Sequence, residues 1–202
     1  MSDHPLLLLL LTTVGIYIVK LWRDDLMHAA AGRPQPNALP GATGTPTRAI
    51  VVAVLGALGL LALETWGEIR LGLVDEQSEM TALFGLYTLS AAFIEEIIFR
   101  GYIVVTKRGP LVQWLAIVGA SALFALLHPF LWAWEDEFTL TLTAKGMFST
   151  TMAFLFSLWF YATRFMRLNP ARSLLPCFAA HLAKNAGVIV IKGAQGFLVG
   201  WW

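Results

Sequence analysis

Long apolar stretches alternate with short polar connections along the whole chain. A helix that crosses the roughly 30 Å hydrocarbon layer of a membrane needs about 20 mostly apolar residues. Six segments approach that length, at 5–22, 49–66, 80–105, 110–134, 146–163 and 173–191. The pattern therefore predicts an all-α membrane protein, a bundle of about six transmembrane helices with any active site inside the bundle.

The one long connection, residues 23–48, contains four prolines and several glycines. Such a composition is typical of an irregular loop and argues against a second folded domain. We therefore expect residues 1–202 to form a single transmembrane domain. Residues 1–79 would supply two accessory spans and the Pro/Gly-rich loop.

Composition supports a membrane protein. The 202 residues are 57% hydrophobic and 13% charged, whereas soluble domains contain about 25% charged residues. The mean hydropathy is +0.68. The net charge of +1 comes with no basic motif, so we predict no nucleic-acid partner. The single cysteine, Cys177, excludes an intramolecular disulfide and a thiolate metal cluster.

Charged residues are distributed unevenly among the connections. Lys and Arg concentrate in the first, third and fifth connections, and acids in the second and fourth. The positive-inside rule then places the odd connections in the cytoplasm and both termini outside, in a bacterial inner membrane. No Lys or Arg precedes the first apolar run, which indicates an uncleaved anchor. A signal peptide cleaved near residues 29–31 is the alternative.

Several ionisable or polar residues interrupt the apolar segments. They are Glu95, Glu96 and Arg100 in the third segment, His128 in the fourth, and His181, Lys184 and Asn185 in the sixth. A charged side chain at the centre of a membrane helix costs roughly 2.5 to 3.5 kcal/mol on insertion scales. Function is the default explanation for such residues.

The two adjacent glutamates are expected to play different roles. Successive helical residues point about 100° apart, so Glu95 and Glu96 lie on different faces. Glu96 and Arg100 have the i, i+4 spacing of an ion pair, which we assign to structural support. Glu95 has no such partner on its own helix and is the candidate general base.

The later polar residues suggest partners for that base. His128 precedes Pro129, so the helix is expected to end or kink there and open toward a cavity. His181 and Asn185 lie one turn apart and offer two donors for a developing oxyanion. The set suits attack of water on a carbonyl, although each member also has a purely structural interpretation as an interhelical contact.

The same residues could in principle serve two other chemistries. Cys177, His181 and Asn185 share one helix face, but their rise of about 6 Å per step is too large for a nucleophile and its base. Zinc bound by Glu95, His128 and His181 has the right ligand types but lacks an HExxH pair. We therefore predict neither a metal nor a cofactor. Lys184 has no assigned partner.

Three motifs, EEIIFRG at 95–101, FALLH at 124–128 and HLAKN at 181–185, resemble those of the CPBP family. This is the CAAX-protease and bacteriocin-processing (Abi) group of glutamic intramembrane proteases. The resemblance covers roughly residues 80–191, and Ala125 departs from it where many members carry glycine. It implies that Glu95, aided by His128, activates water, and that His181 and Asn185 stabilise the oxyanion. Glu96, Arg100 and Phe124 would support the site.

The substrate is expected to be a membrane protein or peptide in the lipid bilayer. At about 1.5 Å per residue, Glu95 would lie roughly 18 Å from the cytoplasmic end of its span at Lys107, in the outer half of the membrane. This favours exported or membrane-anchored proteins cut near a C-terminal hydrophobic tail, as in the sorting-associated (myxosortase-like) members. Bacteriocin-leader processing, a non-catalytic immunity or scaffold role, and a proton or ion pathway are the alternatives.

Overall fold

The computed structural model describes residues 4–134 and 137–202. Glu135 and Asp136, two acids of the fourth connection, lie outside the described residues. Six α-helices make up most of the fold: α1 Pro5–Ala30, α2 Thr47–Leu71, α3 Ala82–Glu96, α4 Pro110–Leu127, α5 Ala144–Phe165 and α6 Leu175–Gln195. A π-helical turn, Ile97–Tyr102, continues α3, and a 3-10 turn, Val74–Glu76, follows α2.

Each predicted apolar segment overlaps one of these helices, which confirms an all-α integral membrane protein. In the part of the chain that the structure describes, four helices are long and apolar enough to cross a membrane, namely α1, α2, α3 with its π-helical turn, and α4. Helices α5 and α6, with 22 and 21 residues, are long enough but less apolar. They carry many of the polar residues that line the inside of the bundle.

The fourth predicted span is too long. Helix α4 ends at Leu127, and His128 adopts an extended backbone with ψ 131°, because the ring of Pro129 prevents a further helical turn. The residues that we assigned to the end of this span form a small antiparallel hairpin instead. Its strands are β1, Trp132–Trp134, and β2, Phe138–Leu140.

The Pro/Gly-rich loop is irregular, as predicted, but shorter, since α1 continues to Ala30. The loop packs on the bundle. Trp22 Nε1 donates a hydrogen bond to the Pro40 carbonyl oxygen at 3.1 Å. Gly41 has φ +65°, and a Cβ atom there would lie 2.6 Å from Arg164 Nη1. Glycine is therefore required both for the backbone conformation and for the close approach of Arg164.

Helix α6 lies at the centre of the bundle and packs against α2, α3 and α5, while α1 packs on α3 and α4 packs on α5. One apolar cluster joins α2, α5 and α6 around Phe156 and Phe160. A second joins α1, the loop, the π-helical turn and α6 around Trp22 and Phe178. This arrangement brings the polar residues of α3 and α6 to a shared interface.

Candidate functional site

The π-helical turn positions the first motif. Such widened turns occur frequently at functional sites. The Tyr161 hydroxyl of α5 donates to the Phe99 carbonyl oxygen at 2.7 Å and lies 3.1 Å from the Ile103 carbonyl oxygen. These contacts tie the end of the turn to α5. Sequence reasoning missed Tyr161, because its hydroxyl contacts main-chain atoms of a distant segment.

The ion pair predicted from the i, i+4 spacing is present. Arg100 Nη1 lies 3.2 Å from Glu96 Oε1, and both side chains are fully buried. Arg100 Nη2 also donates to Ser157 Oγ at 2.6 Å and to the Ser157 carbonyl oxygen at 3.1 Å. Buried charges are tolerated only when they are paired and hydrogen-bonded in this way. Ser157 was not identified from the sequence.

Aromatic rings enclose the same guanidinium group. Its central carbon lies 4.7 Å from the Phe124 ring centroid, 4.9 Å from that of Tyr161 and 5.2 Å from that of Phe160. Ring faces attract a cation within about 6 Å, most strongly where water is excluded. Phe124 therefore packs directly on the charged pair.

His181 lies between the two glutamates. Its Nδ1 is 2.8 Å from Glu96 Oε1, and its Nε2 is 3.8 Å from Glu95 Oε2. Because Glu96 Oε1 also accepts from Arg100, we assign the donated proton to Nδ1, which directs Nε2 toward Glu95. The 3.8 Å separation is too long for a direct hydrogen bond, and one water can contact both groups.

The exposed fraction of the side chain differs between the two glutamates. The Glu95 side chain is 33% exposed, whereas Glu96 is fully buried. The carboxyl group of Glu95 is therefore accessible from outside the bundle, whereas that of Glu96 is not. The two glutamates therefore differ as their helical angle predicts.

Phe124 also connects the two histidines. Its ring centroid lies 4.7 Å from that of His128 and 6.2 Å from that of His181. His128 Nδ1 lies 2.8 Å from the Phe124 carbonyl oxygen, to which it donates, so Nε2 is left as an acceptor. Burial lowers the pKa of His128 below its usual 6.5. The imidazole is therefore neutral at pH 7 and able to accept a proton.

Asn185 lies farther along α6. Its Nδ2 donates to the Thr88 carbonyl oxygen at 3.0 Å, which ties α6 to α3 two turns before Glu95. The side chain retains one N–H for another acceptor. Within 4–134 and 137–202, the side-chain contacts that join Glu95, Glu96, Arg100 and His181 do not include Asn185.

The Cys177 thiol lies against α5. Its Sγ lies 3.4 Å from the Phe160 carbonyl oxygen and 3.3 Å from Thr163 Oγ1, and the side chain is fully buried against α5. Among the residues described, no group of three His, Cys, Asp or Glu side chains is arranged to hold a metal ion.

The expected depth of Glu95 is wrong. The helical segment ends at Tyr102 rather than near Lys107, so Glu95 lies only roughly 10 Å from that end. Along Ala82–Tyr102, Glu95 lies nearer the Tyr102 end than the Ala82 end, so the helix does not favour a site in the outer half of the membrane.

The helices define an integral membrane protein whose buried cluster consists of acid–base groups. A sequence model of the family described as type II CAAX prenyl endopeptidase Rce1-like matches residues 77–187, more than half of the chain. The chain therefore belongs to this family of membrane proteases, which confirms the resemblance to the CPBP group. No curated protein and no solved structure matches it.

Proposed function

We propose that the protein is an intramembrane endopeptidase of the bacterial inner membrane in which Glu95 activates water for hydrolysis of a peptide bond. The observation that carries this proposal is the position of His181. Its Nδ1 is held by Glu96 and its Nε2 faces the partly exposed carboxyl group of Glu95. An acceptor, an oriented imidazole and access for water therefore coincide at one place.

In the proposed reaction, Glu95 takes a proton from water as the water oxygen bonds to the carbonyl carbon of the substrate. His128 assists, because its Nε2 is neutral and able to accept a hydrogen bond from the same water. The C–N bond of the resulting tetrahedral intermediate then breaks. The leaving amine takes the proton from Glu95, which regenerates the carboxylate.

The negative oxygen of the intermediate requires donors. Asn185 offers its remaining amide N–H. His181 can donate through Nε2 once the proton that Glu95 takes from the water moves onto that nitrogen, and the neighbouring carboxylate of Glu96 stabilises the charged form until the proton returns to Glu95 for the leaving amine. Glu96 thus orients the imidazole and supports its charge, with Arg100 and Phe124 holding Glu96 in place.

For the substrate we propose a membrane-anchored or exported protein cut near a C-terminal hydrophobic tail, as in sorting-associated members. The printed name of the family suggests a prenylated CAAX peptide as the competing substrate. Purified protein in liposomes should be offered two probes, a farnesylated CAAX peptide and an unprenylated peptide ending in a hydrophobic anchor.

The expected result is cleavage of the anchored peptide by the wild type and none by Glu95→Gln. Cleavage of the farnesylated peptide alone would replace the substrate proposal and leave the mechanism intact. Activity surviving in Glu95→Gln would remove Glu95 as the base. Mass spectrometry of membrane-protein C-termini in cells that express either form would then locate the natural scissile bond.

A further inference from the structure

A polar chamber of about 310 Å³ lies beside the proposed site, between α2, α5 and α6. Pro129 and Phe130, which directly follow His128, form part of its wall, and the Phe130 ring stacks on that of His128 at 5.7 Å. Lys184, three residues after His181, forms another part. The chamber therefore begins about one helical turn from the catalytic cluster.

The ionisable groups on the wall of the chamber balance in charge. They are three acids, Glu64, Glu68 and Glu76, and three lysines, Lys145, Lys184 and Lys192. A ligand with a full charge would be attracted by one set and repelled by the other. The balance favours a neutral, polar ligand.

Three of these six groups have partners. Lys145 pairs with Glu68, whose Oε2 also accepts from Gln77 at 2.9 Å. Lys192 donates to the Ser78 carbonyl oxygen. Glu76 is exposed at the rim. The other two ionisable groups of the chamber wall are Glu64 and Lys184.

Glu64 and Lys184 lie on the facing helices α2 and α6. Glu64 Oε2 is buried and accepts no hydrogen bond from any residue that the structure describes. Lys184 Nζ lies 5.4 Å from the Phe156 ring centroid. Among the residues that the structure describes, Lys184 forms no side-chain hydrogen bond, and it forms no ion pair with Glu64 within 4 Å. A buried acceptor without a donor is uncommon and costs free energy.

We propose that Glu64 and Lys184 form a two-point clamp for the main chain of the substrate next to the scissile bond. This inference rests on the proposed function. In an extended peptide, the N–H and C=O of one residue point to the same side. The N–H would donate to Glu64, and the C=O would accept from Lys184. The main chain of one residue is neutral and supplies both groups, which neither a carboxylate nor an ammonium group does.

The distances indicate which substrate residue is held. His181 and Lys184 are separated by three residues of α6, a rise of about 4.5 Å, and an extended peptide advances about 3.3 Å per residue. The clamp therefore lies level with a residue one or two positions from the scissile bond. Because the clamp contacts only main-chain atoms of the substrate, it would bind peptides of different sequence equally well.

The test uses amide-to-ester replacement, which removes one N–H donor without adding bulk. The peptide found to be cut in the liposome assay is prepared as a set with one ester at a time, at each of four positions on either side of the scissile bond. We expect one ester, one or two residues from the cut, to lower kcat/KM about tenfold through KM. In Glu64→Leu, we expect kcat/KM for the parent peptide to fall by a similar factor. The same ester should then lower kcat/KM no further in this variant.

Lys184→Met should raise KM for the parent peptide about tenfold, and Lys184→Arg should restore it. Lys192→Met is the matched control, because Lys192 is on the same helix but is already bonded to Ser78; it should leave the ester effect unchanged. The clamp is wrong if all esters are cut like the parent peptide, if the ester effect persists in Glu64→Leu, or if Lys184→Met leaves KM unchanged. Failure of the wild type to cut either peptide in the liposome assay would instead contradict the proposed function.

Discussion

His181 Nδ1 lies 2.8 Å from the carboxyl group of Glu96, while its Nε2 faces Glu95 across 3.8 Å. One imidazole thus separates a buried, ion-paired glutamate from a partly exposed one. The relationship supports the proposed division of roles, in which Glu96 orients the ring and Glu95 is available for proton transfer.

Glu95→Gln and Glu96→Gln should differ in stability, although both lower activity. Glu95→Gln should reduce turnover by at least about 100-fold and leave thermal unfolding in detergent near that of the wild type. Glu96→Gln should destabilise the fold by roughly 3 kcal/mol, because it leaves the Arg100 charge without its partner. Glu79→Gln, an exposed substitution, serves as control. Equal destabilisation by the two glutamate variants would contradict the division of roles.

Removing both charges of the buried pair should cost less stability than removing one. Arg100→Met should destabilise the protein by roughly 3 to 5 kcal/mol, and Glu96→Leu combined with Arg100→Met should recover much of that loss. The double variant should nevertheless stay inactive, because His181 has lost the acceptor that orients it. Unfolding and cleavage assays on the same preparations check this. A double variant that regained activity would show that Glu96 has no role beyond pairing with Arg100.

His128 should make the fold less stable in mild acid. Its pKa is lowered by burial in the folded state, so the unfolded chain binds the proton first as pH falls through about 6.5. The unfolding temperature of the wild type should therefore fall relative to that of His128→Gln between pH 7.5 and pH 5. His28→Gln, at an exposed site, should follow the wild type. A constant difference between wild type and His128→Gln over this range would disprove the prediction.

Gly101→Ala should destabilise the protein by roughly 1 to 3 kcal/mol. A Cβ atom at this position would lie 2.6 Å from Pro40 Cγ, so the Pro/Gly-rich loop could not pack on the π-helical turn without moving. Gly119→Ala in α4 is the matched control, since a Cβ atom there meets nothing within 4 Å, and helix propensity favours alanine. Thermal unfolding distinguishes the two variants. Equal stabilities would indicate that the loop yields freely.

Cys177→Ala should retain most of the activity. The thiol contacts the Phe160 carbonyl oxygen and Thr163 in the core and points toward α5. The expected change is a loss of about 1 kcal/mol of stability from the small cavity, with kcat within a factor of two or three of the wild type. If Cys177→Ala unfolds like the wild type but no longer cleaves the peptide, the prediction is wrong and the thiol is a candidate nucleophile.

Patterns within single segments predicted much of the fold. The lengths of the apolar segments predicted six helices. The position of Pro129 predicted the end of α4 near His128, and the i, i+4 spacing predicted the Glu96–Arg100 ion pair. The hairpin after His128 was missed, because its tryptophans and neighbouring apolar residues continue the hydropathy of α4. The π-helical turn was also missed, because its hydrogen bonds to Tyr161 come from α5.

The sequence alone determined that this is a helical membrane protein and predicted the residues that we propose carry its chemistry, because the spacing of residues along a helix follows from local geometry. Tertiary structure decided that His181 contacts Glu96 through one nitrogen and faces Glu95 through the other, that Ser157 and Tyr161 support the site, and that Glu64 faces Lys184 across a chamber. Such contacts depend on the rotation and depth of each helix against its neighbours. The packing of the whole bundle sets this rotation and depth, so neither can be predicted from the sequence of a single segment.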